Sequence, residues 1–528
     1  MARPAPSSDV VSIDPRTDTV VEEVAPATSD TDVARIAARA SAAADSFGRT
    51  SRAFRAALLR AVADGLESRR DEIVAVADRE TAIGPTRLNG ELTRSVYQAR
   101  LFADAIEDGG YLEAAIDHAG PTPMGPGPDL RRMLVPIGPV AVFGSSNFPL
   151  AFSVPGGDTV SALAAGCPVV LKAHSSHPAT SKLCFDILTG AAATAGAPEG
   201  VLGIVFGQAA GAALVADPHI KAVGFTGSLS GGRALLEIIE RRPQPIPFYG
   251  ELSGLNPLVV SPGAAAARTT EIAEGLFTSF TVSAGQLCTK PGVVFLPRDA
   301  AGDALRDQVV RLANASDEFT LLNSRIRASF FNISARIAGA PGTRMAAGAG
   351  RAVDRIRVAP QLFELQAAEL TDTVLEQCFG PSTVVVRYSS PAELEAALTR
   401  LPPSLTGTIH CTDDELDGFE PVIRYFEENS GRIVFDGFPT GVLVSWAQTH
   451  GGPWPATNSL HTSVGVTAVR RFLRPLTWQN APAAVVPEEL QEGFTAIPRR
   501  VDGVLVPATS TVAATTSADA SVAAPSTA

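Results

Sequence analysis

The stretch that decides the fold is VAVFGSSNFPLAFSVPGGDTVSALAAGCPVVLKA, residues 140–173. It opens with the short apolar run VAVFG, passes through the helix-like segment DTVSALAAG, and closes with a second apolar run, PVVLKA. Asp158 is predicted to cap the start of the helix and Gly166 to end it. Two apolar runs joined by a helix indicate neighbouring strands of a parallel sheet.

The same alternation continues to residue 260. Further apolar runs, GIVFG, KAVGFTG, PFYGEL and PLVVSP, are separated by helical segments near 178–195, 209–216 and 230–240. This pattern predicts a parallel sheet with helices on both faces. In such sheets ligands bind at the carboxyl ends of the strands.

The flanking segments complete the predicted organisation. Residues 28–116 repeat apolar residues at spacings of three and four, which predicts helices, and residues 270–440 form a second α/β region. The Pro/Gly-rich segment 119–136 and the strand-like segment 466–482 are predicted to pair as an arm that leaves the main body. The low-complexity tail, 503–528, is predicted to be disordered.

Composition excludes several classes of function. A chain of 528 residues is expected to form two or three lobes, and a net charge of −12 argues against nucleic-acid binding. The five cysteines are scattered without a CxxC pair, so neither a metal site nor a disulfide framework is predicted, and a reducing cytoplasm is expected. No signal peptide and no apolar run long enough for a membrane helix is found.

The segment SAGQLCTKPG, residues 283–292, raises the central chemical question. Cys288 is either a buried small hydrophobe or a nucleophile. A thiolate that attacks a carbonyl needs a donor for the oxyanion and a base. Asn147 offers an amide after VAVFG, although a turn residue is the alternative. Glu251 ends PFYGEL among apolar residues, where desolvation is expected to raise its pKa and make it a base; the alternative is a loop carboxylate.

An oxidation also needs a hydride acceptor, and two motifs indicate a dinucleotide site. Gly227, Ser228 and Gly232 in GFTGSLSGG match G-S-x-x-x-G between a predicted strand and helix, where backbone N–H groups suit a pyrophosphate. Lys172 ends PVVLKA and could hold the adenosine ribose or a 2′-phosphate; a solvated lysine is the alternative.

The joint order of these motifs resembles the aldehyde dehydrogenase superfamily from about residue 12 to about 480. The matching stretches are SNFP, LKAHSSHP, GFTGS, ELSGLNP, GQLC and EQCFGP. Within the superfamily the chain is most similar to the 2,5-dioxovalerate (α-ketoglutaric semialdehyde) dehydrogenases, through ETAIGPTRLNGEL, RLFAD, GPDLRRM, FSVPGGDT, FDGFPTGV and HGGPWPAT. The resemblance implies an α/β architecture of three parts: a Rossmann-type dinucleotide-binding domain (1–118 and 137–255), an α/β catalytic domain (256–465) and a small β oligomerisation arm (119–136 and 466–482).

The resemblance also implies roles for residues. Cys288 would be the nucleophile, Glu251 the base for deacylation, and Asn147, with the Cys288 backbone N–H, the oxyanion hole. The cofactor contacts would be Lys172, Ser175, Gly227, Ser228, Gly232, Gln377 and Phe379. Gln377 stands where the family usually has Glu, and its amide can still bond ribose hydroxyls. Many NAD-preferring relatives have an acidic residue at the position of Ser175, so NADP is favoured over NAD.

The implied substrate has a 2-oxo acid at the end remote from its aldehyde, and binding it requires a cation. Arg94 matches a position that lines the substrate tunnel in relatives; Arg100 is nearby, and a structural ion pair is the alternative for Arg94. The predicted reaction is NADP-dependent oxidation of 2,5-dioxopentanoate to 2-oxoglutarate by a cytoplasmic homodimer or homotetramer. A broad-specificity fatty or aliphatic aldehyde dehydrogenase and a non-catalytic scaffold are the alternatives. His450 could be the partner of a Cys-His hydrolase, but nothing in the sequence places it near Cys288.

Overall fold

The computed structural model describes residues 9–252, 254–348 and 357–509. The chain divides into two compact units: the first comprises Met1–Glu107 and Pro136–Arg474, the second Asp108–Val135 and Pro475–Ala528. The first unit holds two large sheets, and each of them contributes residues to the site described below. The domain boundaries predicted from the sequence remain a prediction.

A five-stranded parallel sheet forms from the alternating region, as the sequence predicts. Its strands lie in the order Phe248–Glu251, Ala222–Thr226, Val140–Phe143, Val169–Lys172, Leu202–Val205. The connecting helices are Gly157–Ala165, Pro178–Thr194, Gln208–Ala216 and Leu229–Glu240. The strands are continuous apolar runs because helices cover both faces. The strand order reverses beside Val140–Phe143, which makes its carboxyl end the point where a ligand is expected to bind.

The helix Gly157–Ala165 corrects one prediction and confirms another. Gly156 occupies the N-cap position, so the prediction that Asp158 caps this helix is wrong. Asp158 lies in the first turn instead, where its carboxylate pairs with Arg471 at 2.7 Å. An acid in the first turn is also favoured by the helix dipole, so the charge still stabilises this end. Gly166 ends the helix with a φ of 93°, as predicted.

A seven-stranded sheet occupies the later part of the first unit. Its order is Arg344–Ala347, Gln361–Gln366, Ser382–Tyr388, Val293–Pro297, Leu258–Val260, Ser404–His410, Ser430–Phe435. All neighbours are parallel except the first pair. The helices of this region are Pro262–Ala267, Thr269–Thr281, Ala300–Ala315, Ser324–Ala338, Pro391–Leu398 and Leu416–Asn429. A short antiparallel ladder pairs Phe319–Thr320 with Arg357–Val358.

The N-terminal region contains an antiparallel hairpin and four helices. The hairpin pairs Asp9–Asp14 with Thr19–Pro26. The helices are Asp30–Gly48, Arg52–Ser68, Arg70–Thr81 and Pro85–Asp108. Ser29 and Ser51 cap the first two, each accepting a backbone N–H three residues on. Within the described ranges no helix has the length and apolar character needed to cross a bilayer.

The second unit contains a five-stranded sheet with the order Leu473–Gln479, Leu130–Pro136, Ala115–Asp117, Arg499–Val501, Val504–Val506. The predicted pairing of the two arm segments is therefore observed, although residues 466–472 form a 3-10 helix rather than a strand. A small hairpin joins Gly120–Thr122 to Gly125–Gly127. The prediction of disorder from residue 503 is wrong at its start, because Val504–Val506 pairs with Arg499–Val501. Residues 510–528 of the predicted tail lie outside the described residues.

Candidate active site

A strained turn presents Cys288. After the helix Thr269–Thr281, the backbone passes through Ser283, Ala284 and Gly285 with φ values of 55°, 57° and 65°. Left-handed backbone costs about 1–2 kcal/mol at each non-glycine residue, so this turn stores strain beside the cysteine. A Cβ on Gly285 would lie 2.2 Å from the Gly380 carbonyl oxygen, so only glycine fits there. The turn leaves Cys288 half-buried at the end of the segment.

Two buried side chains lock the cysteine segment in place. The Asn256 amide donates to the carbonyl oxygens of Cys288, at 2.7 Å, and Lys290, at 3.0 Å. The Lys290 ammonium donates to the carbonyls of Cys378, at 2.9 Å, and Ser382. Burial lowers the pKa of Lys290 to about 8. Lys290 therefore ties EQCFGP to the cysteine segment, so its role is to brace the backbone.

His450 brings Cys288 and Glu251 into one cluster. Its Nε2 lies 3.7 Å from the Cys288 sulfur and 3.0 Å from a carboxylate oxygen of Glu251. Ser463 donates to the other Glu251 oxygen at 2.9 Å and to the His450 carbonyl at 3.2 Å. The expectation that nothing brings His450 near Cys288 is wrong. Both His450 and Ser463 come from the long irregular segment after residue 435, whose path no periodic pattern predicts.

The electrostatics of the cluster differ from the expectation for Glu251. Burial acts to raise the Glu251 pKa, but the proximity of His450 and the hydrogen bonds from His450 and Ser463 outweigh it, so the pKa lies below its usual value. The predicted rise is therefore wrong, because the sequence did not reveal the histidine. Burial, and then the charge of Glu251, raise the pKa of Cys288 well above that of a free thiol, while Arg94 lowers it in part. The resting pair is a thiol facing a carboxylate.

The same three side chains offer a sulfur, a nitrogen and an oxygen within 4.8 Å of one another. These are ligand types that zinc accepts. The sequence predicts no metal site, because the spacing of Glu251, Cys288 and His450 along the chain follows no metal motif. The structure places them together, and the mechanism below needs them as an acid–base group around a nucleophile.

The structure brings Asn147 to the segment that carries Cys288, and its role as oxyanion donor remains a prediction. Asn147 is buried, and its amide nitrogen donates to the carbonyl of Gln286, two residues before Cys288, at 2.8 Å. This bond uses one of the two amide hydrogens and brings the amide to the nucleophile segment. The second hydrogen can serve an oxyanion formed at Cys288.

An arginine–glutamate pair on the helix Pro85–Asp108 positions the Asn147 segment. Arg87 donates to the Asn147 carbonyl at 3.0 Å and lies 3.4 Å from Glu91. Glu91 in turn accepts the backbone N–H groups of Leu150 and Ala151 at 2.8 and 2.9 Å. Because both ends of the segment are held by buried, charge-assisted bonds, the Asn147 amide has little freedom to move. The sequence analysis did not identify this pair.

The predicted pyrophosphate turn lies between the strand Ala222–Thr226 and the helix Leu229–Glu240. Ser228 caps the helix Leu229–Glu240, its hydroxyl accepting a backbone N–H at 3.2 Å. A Cβ on Gly227 would lie 2.6 Å from a phenylalanine ring, and one on Gly232 would lie 2.3 Å from a leucine methyl. A side chain at either position would have to displace these neighbours. The Gly227 N–H donates to the Glu251 carbonyl at 3.0 Å and the Gly232 N–H to the Ser228 carbonyl at 2.9 Å, and the pyrophosphate role of the turn remains a prediction.

Two cations lie near the predicted ribose position. Lys172 is half-buried at the end of the strand Val169–Lys172, and Ser175 is exposed three residues later. Burial, and then the charge of Arg325, lower the Lys172 pKa to about 8. A hydrogen bond of 2.9 Å joins the Asn323 amide to the Ser176 hydroxyl and brings the helix that carries Arg325 to this loop. No sequence motif indicated Arg325 as a residue of the cofactor site.

Gln377 and Phe379 lie in the segment that Lys290 ties to Cys288. The Gln377 amide donates to the Gly254 carbonyl at 3.1 Å, and Phe379 is half-buried. Their contacts with ribose and nicotinamide remain predictions.

Arg94 and Arg100, considered together in the sequence, point to different places. Arg94 donates to the Val442 carbonyl at 2.6 Å, and its guanidinium lies 5.0 Å from the centre of the Phe152 ring. Its charge acts on Cys288 and stabilises the thiolate. Arg100 instead pairs with Asp64 at 2.8 Å. Of the two, Arg94 is the one whose charge acts on Cys288, and its binding of substrate remains a prediction.

Comparisons with known proteins identify the family and the fold of the chain. A model of the family described as "Aldehyde dehydrogenase family" matches residues 3–417. The chain is 42% identical over 481 residues to "Alpha-ketoglutaric semialdehyde dehydrogenase 2" of Azospirillum brasilense, which covers 89% of this chain and 91% of that protein. It is 40% identical over 464 residues to "Alpha-ketoglutaric semialdehyde dehydrogenase" of Acinetobacter baylyi, covering 86% and 88% respectively. The fold matches that of PnpE from Pseudomonas sp. WBC-3 with a TM-score of 0.76 at 21% identity, over 91% of this chain and 96% of that one.

Proposed function

Because the chain belongs to the aldehyde dehydrogenase family, we propose that it oxidises 2,5-dioxopentanoate to 2-oxoglutarate, with NADP as the preferred electron acceptor. The observation that carries the reaction is the contact of Cys288 with the His450–Glu251 pair. The substrate is supported by Arg94, a cation facing the nucleophile, and by the names of the two relatives. We also propose that the enzyme acts in the cytoplasm as a homodimer or homotetramer.

The first half of the reaction forms a bond between Cys288 and the aldehyde carbon. The thiol proton passes to Glu251, which offers a carboxylate oxygen within 4.8 Å of the sulfur, because the His450 Nε2 proton is already donated to that carboxylate. Arg94 stabilises the thiolate as it forms. The sulfur then adds to the carbonyl, and the free N–H of the Asn147 amide and the Cys288 backbone N–H stabilise the oxyanion.

The second half releases the acid. A bound dinucleotide would supply the hydride acceptor, and loss of the hydride would leave the acyl group on Cys288 as a thioester. Glu251 then passes the thiol proton to solvent, because His450 and Ser463 hold its pKa down, and the ionised carboxylate can remove a proton from the attacking water. Water adds to the thioester carbon, the carboxylic acid leaves, and the proton returns to the sulfur.

The residues present fit a dinucleotide. The closed glycine positions at Gly227 and Gly232 allow the backbone to approach the pyrophosphate. A 2′-phosphate would be bound by Lys172, Ser175 and Arg325. Two of these are cations, and Ser175 stands where many NAD-preferring relatives have an acidic residue. Gln377 would bond a ribose, and Phe379 would lie beside the nicotinamide.

A substrate panel with both cofactors tests the proposal. We expect the highest kcat/KM for 2,5-dioxopentanoate with NADP, lower values for succinic semialdehyde and glutaraldehyde, and the lowest for decanal, because a long apolar chain leaves the Arg94 cation unpaired. The measurement is NADPH or NADH absorbance. A best substrate among long-chain aldehydes would favour a fatty aldehyde dehydrogenase, and a folded protein with no turnover of any aldehyde would favour a scaffold.

The pKa of Lys172 predicts how NADP binding depends on pH. Below pH 8 the ammonium is charged and attracts the 2′-phosphate; above pH 8 the free enzyme loses that charge. We therefore expect the NADPH dissociation constant to rise with a limiting slope of about tenfold per pH unit above that value, since one proton is lost. Fluorescence titration from pH 6.5 to 9.5 measures it, with NADH and Lys172→Met as controls that should show no such slope. A parallel pH dependence for NADPH and NADH would remove Lys172 from the phosphate site.

A further inference from the structure

Two arginines reach the same loop beside Cys288. Arg94 comes from the helix Pro85–Asp108, and Arg432 comes from the strand Ser430–Phe435. Arg94 donates to the carbonyl of Val442 at 2.6 Å. Arg432 donates to the carbonyls of Gly441, at 3.0 Å, and Pro439, at 2.5 Å. Carbonyl groups of loop 439–442 therefore accept hydrogen bonds from both guanidiniums, although the two arginines are far apart in the sequence.

Neither guanidinium has all its donors in use. Nε and Nη2 of Arg94 and Nε of Arg432 are buried and have no hydrogen-bond acceptor among the described residues. In the part of the chain that the structure describes, neither arginine forms an ion pair with a carboxylate, whereas Arg87 pairs with Glu91 at 3.4 Å. A buried cation without an anion is unfavourable unless a ligand supplies the anion.

The contacts of Arg94 lead to the nucleophile. Its guanidinium lies 5.0 Å from the centre of the Phe152 ring, that ring lies 6.3 Å from the His450 ring, and His450 lies 3.7 Å from the Cys288 sulfur. Arg432 binds the same loop as Arg94. Burial lowers the pKa of both arginines, and the charge of Cys288 acts in the opposite direction on each, joined for Arg94 by the charges of Glu91 and Glu251.

We infer that Arg94 and Arg432 together bind the 2-oxo carboxylate end of the substrate. A carboxylate and its neighbouring carbonyl present acceptors over a wider arc than a carboxylate alone, which matches two guanidiniums better than one. The inference rests on the proposed function and deepens it, because it makes 2-oxo acids, rather than simple ω-aldehyde acids, the preferred class. Arg432 becomes a specificity-determining residue that no sequence motif indicated.

Binding of unreactive acids tests this without turnover. We use calorimetry with 2-oxopentanoate, pentanoate and the neutral pentanamide, on the wild type and on Arg94→Met, Arg432→Met and Arg432→Lys. The wild type should bind 2-oxopentanoate at least about tenfold more tightly than pentanoate, and Arg432→Met should weaken 2-oxopentanoate by about 10- to 100-fold, as expected for a lost charged hydrogen bond. Arg432→Lys should keep affinity for pentanoate but lose the preference. Binding of pentanamide should not change.

The matched control is Arg400→Met, since Arg400 also donates to a loop carbonyl, that of Leu370. Equal affinities of the wild type for 2-oxopentanoate and pentanoate would overturn the inference without any variant. So would an Arg432→Met protein that binds 2-oxopentanoate normally, or that loses pentanamide equally. If 2,5-dioxopentanoate is not oxidised but 2-oxopentanoate binding still depends on Arg432, the proposed function fails and the anion site stands. If 2,5-dioxopentanoate is oxidised but 2-oxopentanoate binding does not depend on Arg432, the proposed function stands and the inference about Arg432 fails.

Discussion

Cys288→Ala is expected to lower kcat/KM for aldehyde oxidation by roughly 10⁴-fold or more, because the step that it supports has no other nucleophile. The other four cysteines are buried, and burial raises the pKa of each. None of them therefore offers an accessible thiolate. NADPH absorbance with 2,5-dioxopentanoate measures the loss.

Cys411→Ala is the matched control, since this cysteine lies outside the cluster and should leave activity at the parent's level. A melting temperature close to that of the parent would show that Cys288→Ala still folds. If Cys288→Ala or Cys288→Ser turned over aldehyde at the rate of the parent, the assignment of the nucleophile would be wrong.

Glu251→Gln is expected to lower the steady-state kcat by about 10²- to 10⁴-fold, the range of a lost general base. The amide cannot accept a proton from water, so the thioester should accumulate. A rapid burst approaching one NADPH per site should therefore precede slow turnover, because His450 Nε2, which lies 3.7 Å from the sulfur in the parent and no longer donates to a carboxylate in this variant, can take the thiol proton. Stopped-flow absorbance measures the burst.

His450→Asn separates the acylation step from the deacylation step. It removes the hydrogen bond that lowers the Glu251 pKa, so a smaller fraction of Glu251 is ionised and able to take the thiol proton. We expect the burst itself to be slower in His450→Asn. In Glu251→Gln the burst should stay fast, and the turnover that follows it should be slow. If Glu251→Gln abolished the burst as completely as Cys288→Ala, Glu251 would be indispensable for acylation, and the prediction that only deacylation becomes slow in this variant would be wrong.

The fold was predictable wherever a periodic pattern existed. Apolar runs alternating with helical segments predicted the parallel sheet, and glycine at Gly166 predicted a helix end, because these features depend on local sequence. The cap at Asp158 failed because a distant residue, Arg471, competes for its carboxylate. The strand Val504–Val506 was missed because its stability comes from pairing with Arg499–Val501, which its low-complexity surroundings do not reveal.

The site was predictable only in part, for a similar reason. Asn147 follows one strand of the parallel sheet and Glu251 is the last residue of another, so their meeting near one edge could be expected. His450, Ser463 and Arg432 reach the site from the segment after residue 429, through irregular backbone and the edge strand. The pKa of Glu251 could not be predicted correctly without them, because the sign of its shift depends on His450 rather than on burial.

The acylation state of Cys288 tests the central claim most directly. Glu251→Gln protein is mixed with 2,5-dioxopentanoate and NADP, quenched in acid during the burst and digested. The mass of the peptide that contains Cys288 is then measured by mass spectrometry. The account predicts that this peptide carries one acyl group in thioester linkage, in an amount equal to the NADPH formed. An unmodified Cys288 peptide alongside a full equivalent of NADPH would contradict it.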